Sequence, residues 1–209
     1  MQAIIVSAYG GTEALHMTDN LPAPTSFANQ IGIEVYAAGI NPFDVALLSG
    51  MYRSVIPVTF PYIPGGDISG VVTSVGKDVT GLAIGDHIYG SANVLSGGSG
   101  AFTQNTLAVA GRIAKKPENA SWIQAAALPL VATSALTALE ELMELKPDQK
   151  ILIHGGSGGI GHIAIQLAKH MGAYVATTAG TADMPFVKKL GADLCIDYKT
   201  QRFDQLISG

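Results

Sequence analysis

Residues 151–161 read Ile-Leu-Ile-His-Gly-Gly-Ser-Gly-Gly-Ile-Gly. An aliphatic run ends in a glycine cluster and passes directly into Ile160 to Met171, where apolar residues recur at helical spacing. The stretch reads as strand, tight turn and helix. Glycine has three uses in such a place: it lets the chain turn sharply, lets backbone approach a pyrophosphate, and lets the helix pack closely on the strand. The amides at the helix start would then face the phosphates. Gly156, Gly158 and Gly161 satisfy G-x-G-x-x-G, and Gly155, Gly158 and Gly161 satisfy the related small-residue spacing. The residues expected to hold a dinucleotide are therefore Gly155, Gly156, Ser157, Gly158, Gly159, Ile160 and Gly161. A second strand-like run, Ala173 to Thr178, completes a βαβ unit. An ordinary glycine-rich strand-to-helix turn is the plainer alternative, and the βαβ context weighs against it.

The sequence around this stretch is globular in character. It has 209 residues and is 48% hydrophobic, enough apolar surface for one large domain or two small ones. The net charge of -4, with no run of lysines or arginines, offers no electrostatic footprint for nucleic acid or an anionic membrane, so neither is expected as a partner. The single cysteine, Cys195, rules out an intrachain disulfide and a zinc site built mainly of thiolates, and fits a reducing cytoplasmic location. Met1 to Ala8 is apolar but has no basic n-region and no long h-region, so it reads as a first strand. The longest apolar region, Ala125 to Leu139, is interrupted by Pro129, Thr133, Ser134 and Thr137 and is too short to span a bilayer.

From Met1 to about Arg112 the pattern is short β-runs punctuated by Gly, Pro and Asn, such as Ile31 to Ala37, Gly70 to Val75, His87 to Tyr89 and Phe102 to Val109. This texture predicts a small β-rich or barrel-like domain. Ser121, followed three residues later by Gln124, is a capping-box signature that opens a long helical region, interrupted at Pro129 and running to about Leu145. The domain boundary is placed there, giving domains 1–120 and 121–209. After the first βαβ unit, Asp183 to Leu190 reads as a short helix stopped by Gly191, Leu194 to Tyr198 as a third strand, and Phe203 to Ile207 as the start of another helix. A doubly wound parallel sheet has two βαβαβ halves, ordered 3-2-1-4-5-6, and this chain reaches only the third strand. The second, α/β domain is therefore expected to be incomplete. Unpaired strand edges would favour association into a homo-oligomer.

Several ordered segments together resemble the medium-chain dehydrogenase/reductase superfamily and, within it, the zinc-independent quinone oxidoreductase (zeta-crystallin-like) branch. They are Gly39-Ile-Asn-Pro-Phe-Asp44, Ser49-Gly-Met-Tyr52, Ile63-Pro-Gly-Gly-Asp-Ile-Ser-Gly-Val-Val72, Gly85-Asp86, Gly97 to Phe102, Ala126 to Leu139, Ile151 to Lys169 and Leu190-Gly-Ala-Asp193. The resemblance implies a β-rich GroES-like catalytic domain followed by a Rossmann-like domain, with the active site in the cleft between them. Where zinc-dependent relatives place a Cys and a His, this chain has Asn41 and Gly66, and the cysteine-rich zinc loop is missing, so no metal is expected. The implied chemistry is hydride transfer from a reduced nicotinamide to a small-molecule acceptor, a quinone or another activated carbonyl or alkene such as an enone.

By the same resemblance, Asn41 and Tyr52 are the catalytic candidates lining the nicotinamide and substrate cleft. Tyr52 would donate a hydrogen bond and stack on an aromatic acceptor; alternatively it is a loop tyrosine packed on the barrel. Asn41 reads equally as a turn residue before Pro42, and Asp44 as a residue that orders its loop. Leu48 stands where this branch often has Arg, which implies a less polar cleft or a different substrate. Val175 to Gly180 contains no acid to bind a ribose 2′-hydroxyl, and that favours NADPH over NADH. Thr178-Ala-Gly-Thr-Ala182 resembles the phosphate loop of NADPH-dependent members, with Thr178, the Gly180 amide, the Thr181 hydroxyl and Tyr198 facing the cofactor. Asp183, where a lysine is frequent, counts against it. Ser134 occupies the place of a family threonine whose hydroxyl approaches the nicotinamide, or else bonds to its own helix. The alternative from another class is a truncated, non-catalytic nucleotide-binding or interaction module.

Overall fold

The structure is a computed structural model, and it describes residues 1–207. The chain divides into two compact units, Met1–Leu130 and Val131–Gly209.

The first unit is built on a five-stranded antiparallel sheet in the order β6-β3-β4-β5-β7. Its strands are β3 (Gln30–Ala38), β4 (Asp67–Val75), β5 (His87–Ser91), β6 (Asn105–Val109) and β7 (Ile113–Lys115). Alternation sends Ile31 and Ile33 of β3, Ile68 and Val72 of β4 and Ile88 of β5 into one core with Ala92, Ala101 and Ala108. A separate hairpin, β1 (Ala3–Val6) with β2 (Leu15–Thr18), packs Val6 against Leu47 and Leu48 of α1 (Pro42–Leu48) and against Tyr62. The β-run expected from Phe102 starts only at Asn105. The amides of Ala101 and Phe102 donate to the Pro64 carbonyl and that of Gln104 to the Gln2 carbonyl, so those residues pair with crossing chain.

Helix α2 (Trp122–Ala126) has the full capping box: Gln124 N donates to Ser121 Oγ (3.2 Å), and Ser121 N donates to Gln124 Oε1 (2.9 Å). The helix lies on the sheet. Ser69 Oγ of β4 donates to the Trp122 carbonyl (2.7 Å), and the indole packs against the rings of Tyr36 and His87, each at 4.8 Å, with Lys116 Nζ 5.2 Å from its centroid. These contacts draw α2 into the first unit, so the division falls at Leu130/Val131 although the texture of the sequence changes at Ser121.

The second unit has a three-stranded parallel sheet in the order β10-β9-β8: β8 (Lys150–Ile153), β9 (Tyr174–Ala179) and β10 (Leu194–Asp197). This is the 3-2-1 half of a doubly wound sheet. The helices are α3 (Pro129–Leu136), which begins in the last residues of the first unit and continues as a π-helical stretch over Thr137–Leu142, then α4 (Gly159–His170), α5 (Met184–Lys189) and α6 (Phe203–Leu206). Ile165 and Ala168 of α4, Val175 of β9, Val187 of α5 and Leu139 form the core. Gly191, at φ 103°, terminates the α5 segment, as the sequence implies.

Candidate functional site

The glycine turn links β8 to α4 and is braced from below by β9. Gly155 takes φ +65°, a left-handed conformation that favours glycine. Its amide donates to Thr178 Oγ1 (3.1 Å), the Gly156 amide to the Thr178 carbonyl (2.9 Å) and the Gly158 amide to the Gly155 carbonyl (2.9 Å). Close approach then excludes side chains. A Cβ on Gly156 would collide with Thr177 Oγ1, and one on Gly161 with the Gly155 carbonyl oxygen while lying 2.9 Å from Gly156 Cα.

Gly158 caps α4 and brings no side chain to it. The first helical bond runs from His162 N to Gly158 O (3.0 Å), so Gly159, Ile160 and Gly161 begin the helix with amides that have no intrahelical acceptor. They present outward N–H groups at the positive end of a twelve-residue helix, the donor set that a diphosphate requires. The chain thus fits a dinucleotide pyrophosphate at this turn.

The other expected cofactor residues are placed less simply. Thr178 is only 5% exposed, and its hydroxyl sits between Gly155 N and His154 Nδ1 (3.2 Å), so it shapes the turn from beneath. Thr181 Oγ1 donates to Asp197 Oδ2 (2.6 Å), which uses the single hydroxyl proton. That bond, followed by the Lys199 amide (3.0 Å), holds the Asp197 carboxyl below the usual range. Ser157 Oγ donates to Asp183 Oδ2 (2.9 Å), which brings a carboxylate to the edge of the turn. Tyr198 is exposed, with its hydroxyl beside Gly180. Ser134 is half-buried and carried separately by α3.

In the first unit, Asn41 is the N-cap of α1, started by Pro42 at the first helical position. Asn41 N donates to Asp44 Oδ2 (2.8 Å), so Asp44 orders this loop. Asn41 Nδ2 donates to Asp67 Oδ2 (2.9 Å), which also accepts from Leu130 N (3.1 Å). These side chains line a pocket of about 230 Å³ with Phe43, Gly66 and Leu130. Burial pushes both carboxyls up. For Asp44, the Asn41 amide opposes the rise and the nearby Asp67 adds to it; for Asp67, the bonds from Asn41 and Leu130 oppose it. Tyr52 stands at the surface, 37% exposed, with its ring stacked on Phe43 at 6.1 Å.

Asp67 is the site residue that the reading of single candidates passes over. Its mark in the sequence is an acid within the otherwise uncharged segment Ile63-Pro-Gly-Gly-Asp-Ile-Ser-Gly-Val-Val72. Among the described residues, no three His, Cys, Asp or Glu side chains gather as a metal site would need.

A family model described as alcohol dehydrogenase GroES-like domain matches residues 28–118, and one described as zinc-binding dehydrogenase matches residues 159–208. The chain belongs to the medium-chain dehydrogenase/reductase superfamily. Within the superfamily it is 37% identical over 205 residues to a chloroplast envelope quinone oxidoreductase homolog from Arabidopsis thaliana, covering 96% of this chain and 62% of the relative. It is 36% identical over 212 residues to a chloroplastic NADPH-dependent alkenal/one oxidoreductase from the same plant, covering 99% and 54%. The Escherichia coli quinone oxidoreductase, solved in complex with NADPH, superposes with a TM-score of 0.83 at 30% identity, covering 99% of this chain and 61% of that one. The chain therefore spans between about half and two thirds of the length of these superfamily relatives. Its two units are a GroES-like domain and part of a Rossmann-like domain.

Proposed function

We propose that this chain is an NADPH-dependent, zinc-independent oxidoreductase that reduces a quinone or another activated carbonyl or alkene. The observation that carries the reading is the glycine turn: two glycines that admit no Cβ, and three amides without intrahelical acceptors at the start of α4. When bound, reduced nicotinamide supplies the hydride, and the protein supplies orientation and hydrogen bonds.

In this reading the amides of Gly159, Ile160 and Gly161 hold the pyrophosphate. The Gly180 amide and the exposed Tyr198 hydroxyl serve the 2′-phosphate, and Ser134 approaches the nicotinamide. Asn41 donates from Nδ2 to the acceptor oxygen, which gains negative charge as the hydride arrives. Tyr52, stacked on Phe43 and 37% exposed, offers a ring face to an aromatic acceptor and a hydroxyl able to donate a hydrogen bond. Asn41 and Gly66 are not zinc ligands in character, so acceptor polarisation falls to hydrogen-bond donors.

The partner is a small-molecule acceptor, without nucleic acid or membrane; no described helix is long and apolar enough to cross a bilayer. The outer edges of β8 and β10, unpaired among the described residues, support association between copies. The lone half-buried Cys195 supports a reducing compartment such as the cytoplasm, and cell fractionation tests that placement.

Calorimetric titration with NADPH and NADH, followed by NADPH oxidation with a quinone and with an enone, tests the function. Tight NADPH binding with turnover is the expected result. Binding without turnover would instead support a non-catalytic nucleotide-binding module, and no binding would refute both.

A further inference from the structure

Asp67 is 4% exposed and Asp44 is 8% exposed, and among the described residues they are the only titratable side chains lining their pocket. Among the described residues no cation pairs with either. Asp67 is held by donors alone, Asn41 Nδ2 at 2.9 Å and the Leu130 amide at 3.1 Å, both on Oδ2. Leu130 lies in the first turn of α3, and its amide, with the Asn41 NH2 group, opposes the rise that burial imposes on the carboxyl.

An ionised carboxylate accepts hydrogen bonds and donates none. The Asn41 amide must therefore turn its NH2 group toward Asp67, whichever way the two ends of the amide are labelled. The second Nδ2 hydrogen remains for a ligand. The capping box of α1 turns the other end of the Asn41 amide toward Asp44 N; a neutral residue at position 67 would leave that cap alone to hold the amide, and a half-turn would present Oδ1 where the donor had been. A carbonyl oxygen arriving there would then meet another oxygen.

We propose that Asp67 is the positioning residue that fixes the Asn41 amide with its donor toward the pocket, and so selects ligands that bring an acceptor oxygen. The substrate class follows: the carbonyl oxygen of a quinone or enone only accepts and is matched by this donor, whereas an alcohol can accept the same bond but finds no acceptor on Asn41 for its hydroxyl proton. This rests on the oxidoreductase reading above for its substrate, but the amide orientation itself can be read without turnover.

The test uses the intact chain and its Asp67→Asn variant, whose amide can present Asn41 with either an oxygen or an NH2 group. The first readout is the side-chain amide signal of Asn41 in an ¹⁵N NMR spectrum, assigned with Asn41→Asp. In the unmodified chain this signal shifts as acid protonates Asp67. Asp44 faces the same residue from α1 but bonds its backbone amide, so its titration appears at Asn41 N. In Asp67→Asn the side-chain signal moves at neutral pH and no longer responds to acid. The second readout is steady-state kinetics. The variant loses about a hundred- to a thousandfold in kcat/KM for the quinone, with the NADPH dissociation constant unchanged.

An Asn41 side-chain signal that ignores both acid and Asp67→Asn overturns the proposal, as does full quinone turnover by a folded Asp67→Asn chain. If the signal responds as expected but the unmodified chain does not oxidise NADPH, the positioning role stands and the oxidoreductase reading falls. Should Asp67→Asn fail to fold, the acid titration of the unmodified chain still decides.

Discussion

Gly161→Ala probes the pyrophosphate cradle most directly. Its Cβ would press into the Gly155 carbonyl oxygen and lie 2.9 Å from Gly156 Cα and 3.0 Å from Gly155 C. These are backbone atoms, and they cannot retreat freely: the Gly155 and Gly156 amides are bonded to Thr178 at 3.1 and 2.9 Å. Overpacking of this kind costs about 1–3 kcal/mol. Replacing glycine by alanine within a helix returns about 1 kcal/mol, so the net loss of stability is about 0–2 kcal/mol.

The larger effect falls on binding. The turn must shift to admit the methyl group, and the amides that follow are then misaimed at the phosphates. A hydrogen bond to a charged group is worth about 1.5–3 kcal/mol, so losing one lowers NADPH affinity about ten- to a hundredfold. Gly159→Ala is the stability control. Its Cβ would make ordinary contact with Val131 Cγ1 at 3.4 Å, and it should raise the melting temperature. Calorimetric NADPH titration and thermal melts followed by circular dichroism measure both effects. A Gly161→Ala chain that melts as high as Gly159→Ala and binds NADPH with unchanged affinity would refute the cradle.

Thr181→Val should leave NADPH affinity unchanged in the same titration, because the hydroxyl proton is already donated to Asp197. It should lower the melting temperature at neutral pH. Asp197 is held below the usual carboxylate range by this bond first, so the bond's contribution is present above the ordinary carboxylate pKa and vanishes as pH falls through the folded value. Ser121→Ala removes the acceptor for Gln124 N and should cost about 1 kcal/mol in urea unfolding. Asp193→Asn breaks the Lys169 contact (2.8 Å) and weakens the bond from Val175 N (2.7 Å), for about 1 kcal/mol near neutrality. Burial raises the Asp193 pKa but these bonds outweigh it, so the penalty should disappear on acidification; a penalty that persists in acid would point to lost packing instead.

Most of the architecture was legible in the residues because it rests on local signals. The βαβ unit follows from the switch between strand and helix periodicity around the glycine cluster, and the cap of α2 from Ser121 and Gln124, three residues apart. The short strands β2 and β7 escaped because Leu-His-Met-Thr and Ile-Ala-Lys hold too few β-branched or aromatic residues to read as strands. The π-helical stretch after α3 escaped because its turn is not written in the spacing of apolar residues.

At the site, residue types were readable and partners were not. The sequence alone specified a glycine turn that leads from a strand into a helix, since glycine's missing side chain is a local property. It also specified the absence of thiolate ligands and of an acid at the end of β9. Only the tertiary structure decided which hydroxyls remain free: Thr178 is taken by the turn it supports, and Thr181 by Asp197 on the neighbouring strand. It alone joined Asp67 to Asn41, on different elements of the first unit, and turned an unremarked acid into the group that orients an amide. The physical reason is that a hydrogen bond depends on where two atoms meet, and strand register and helix packing determine that meeting after the local code has been read.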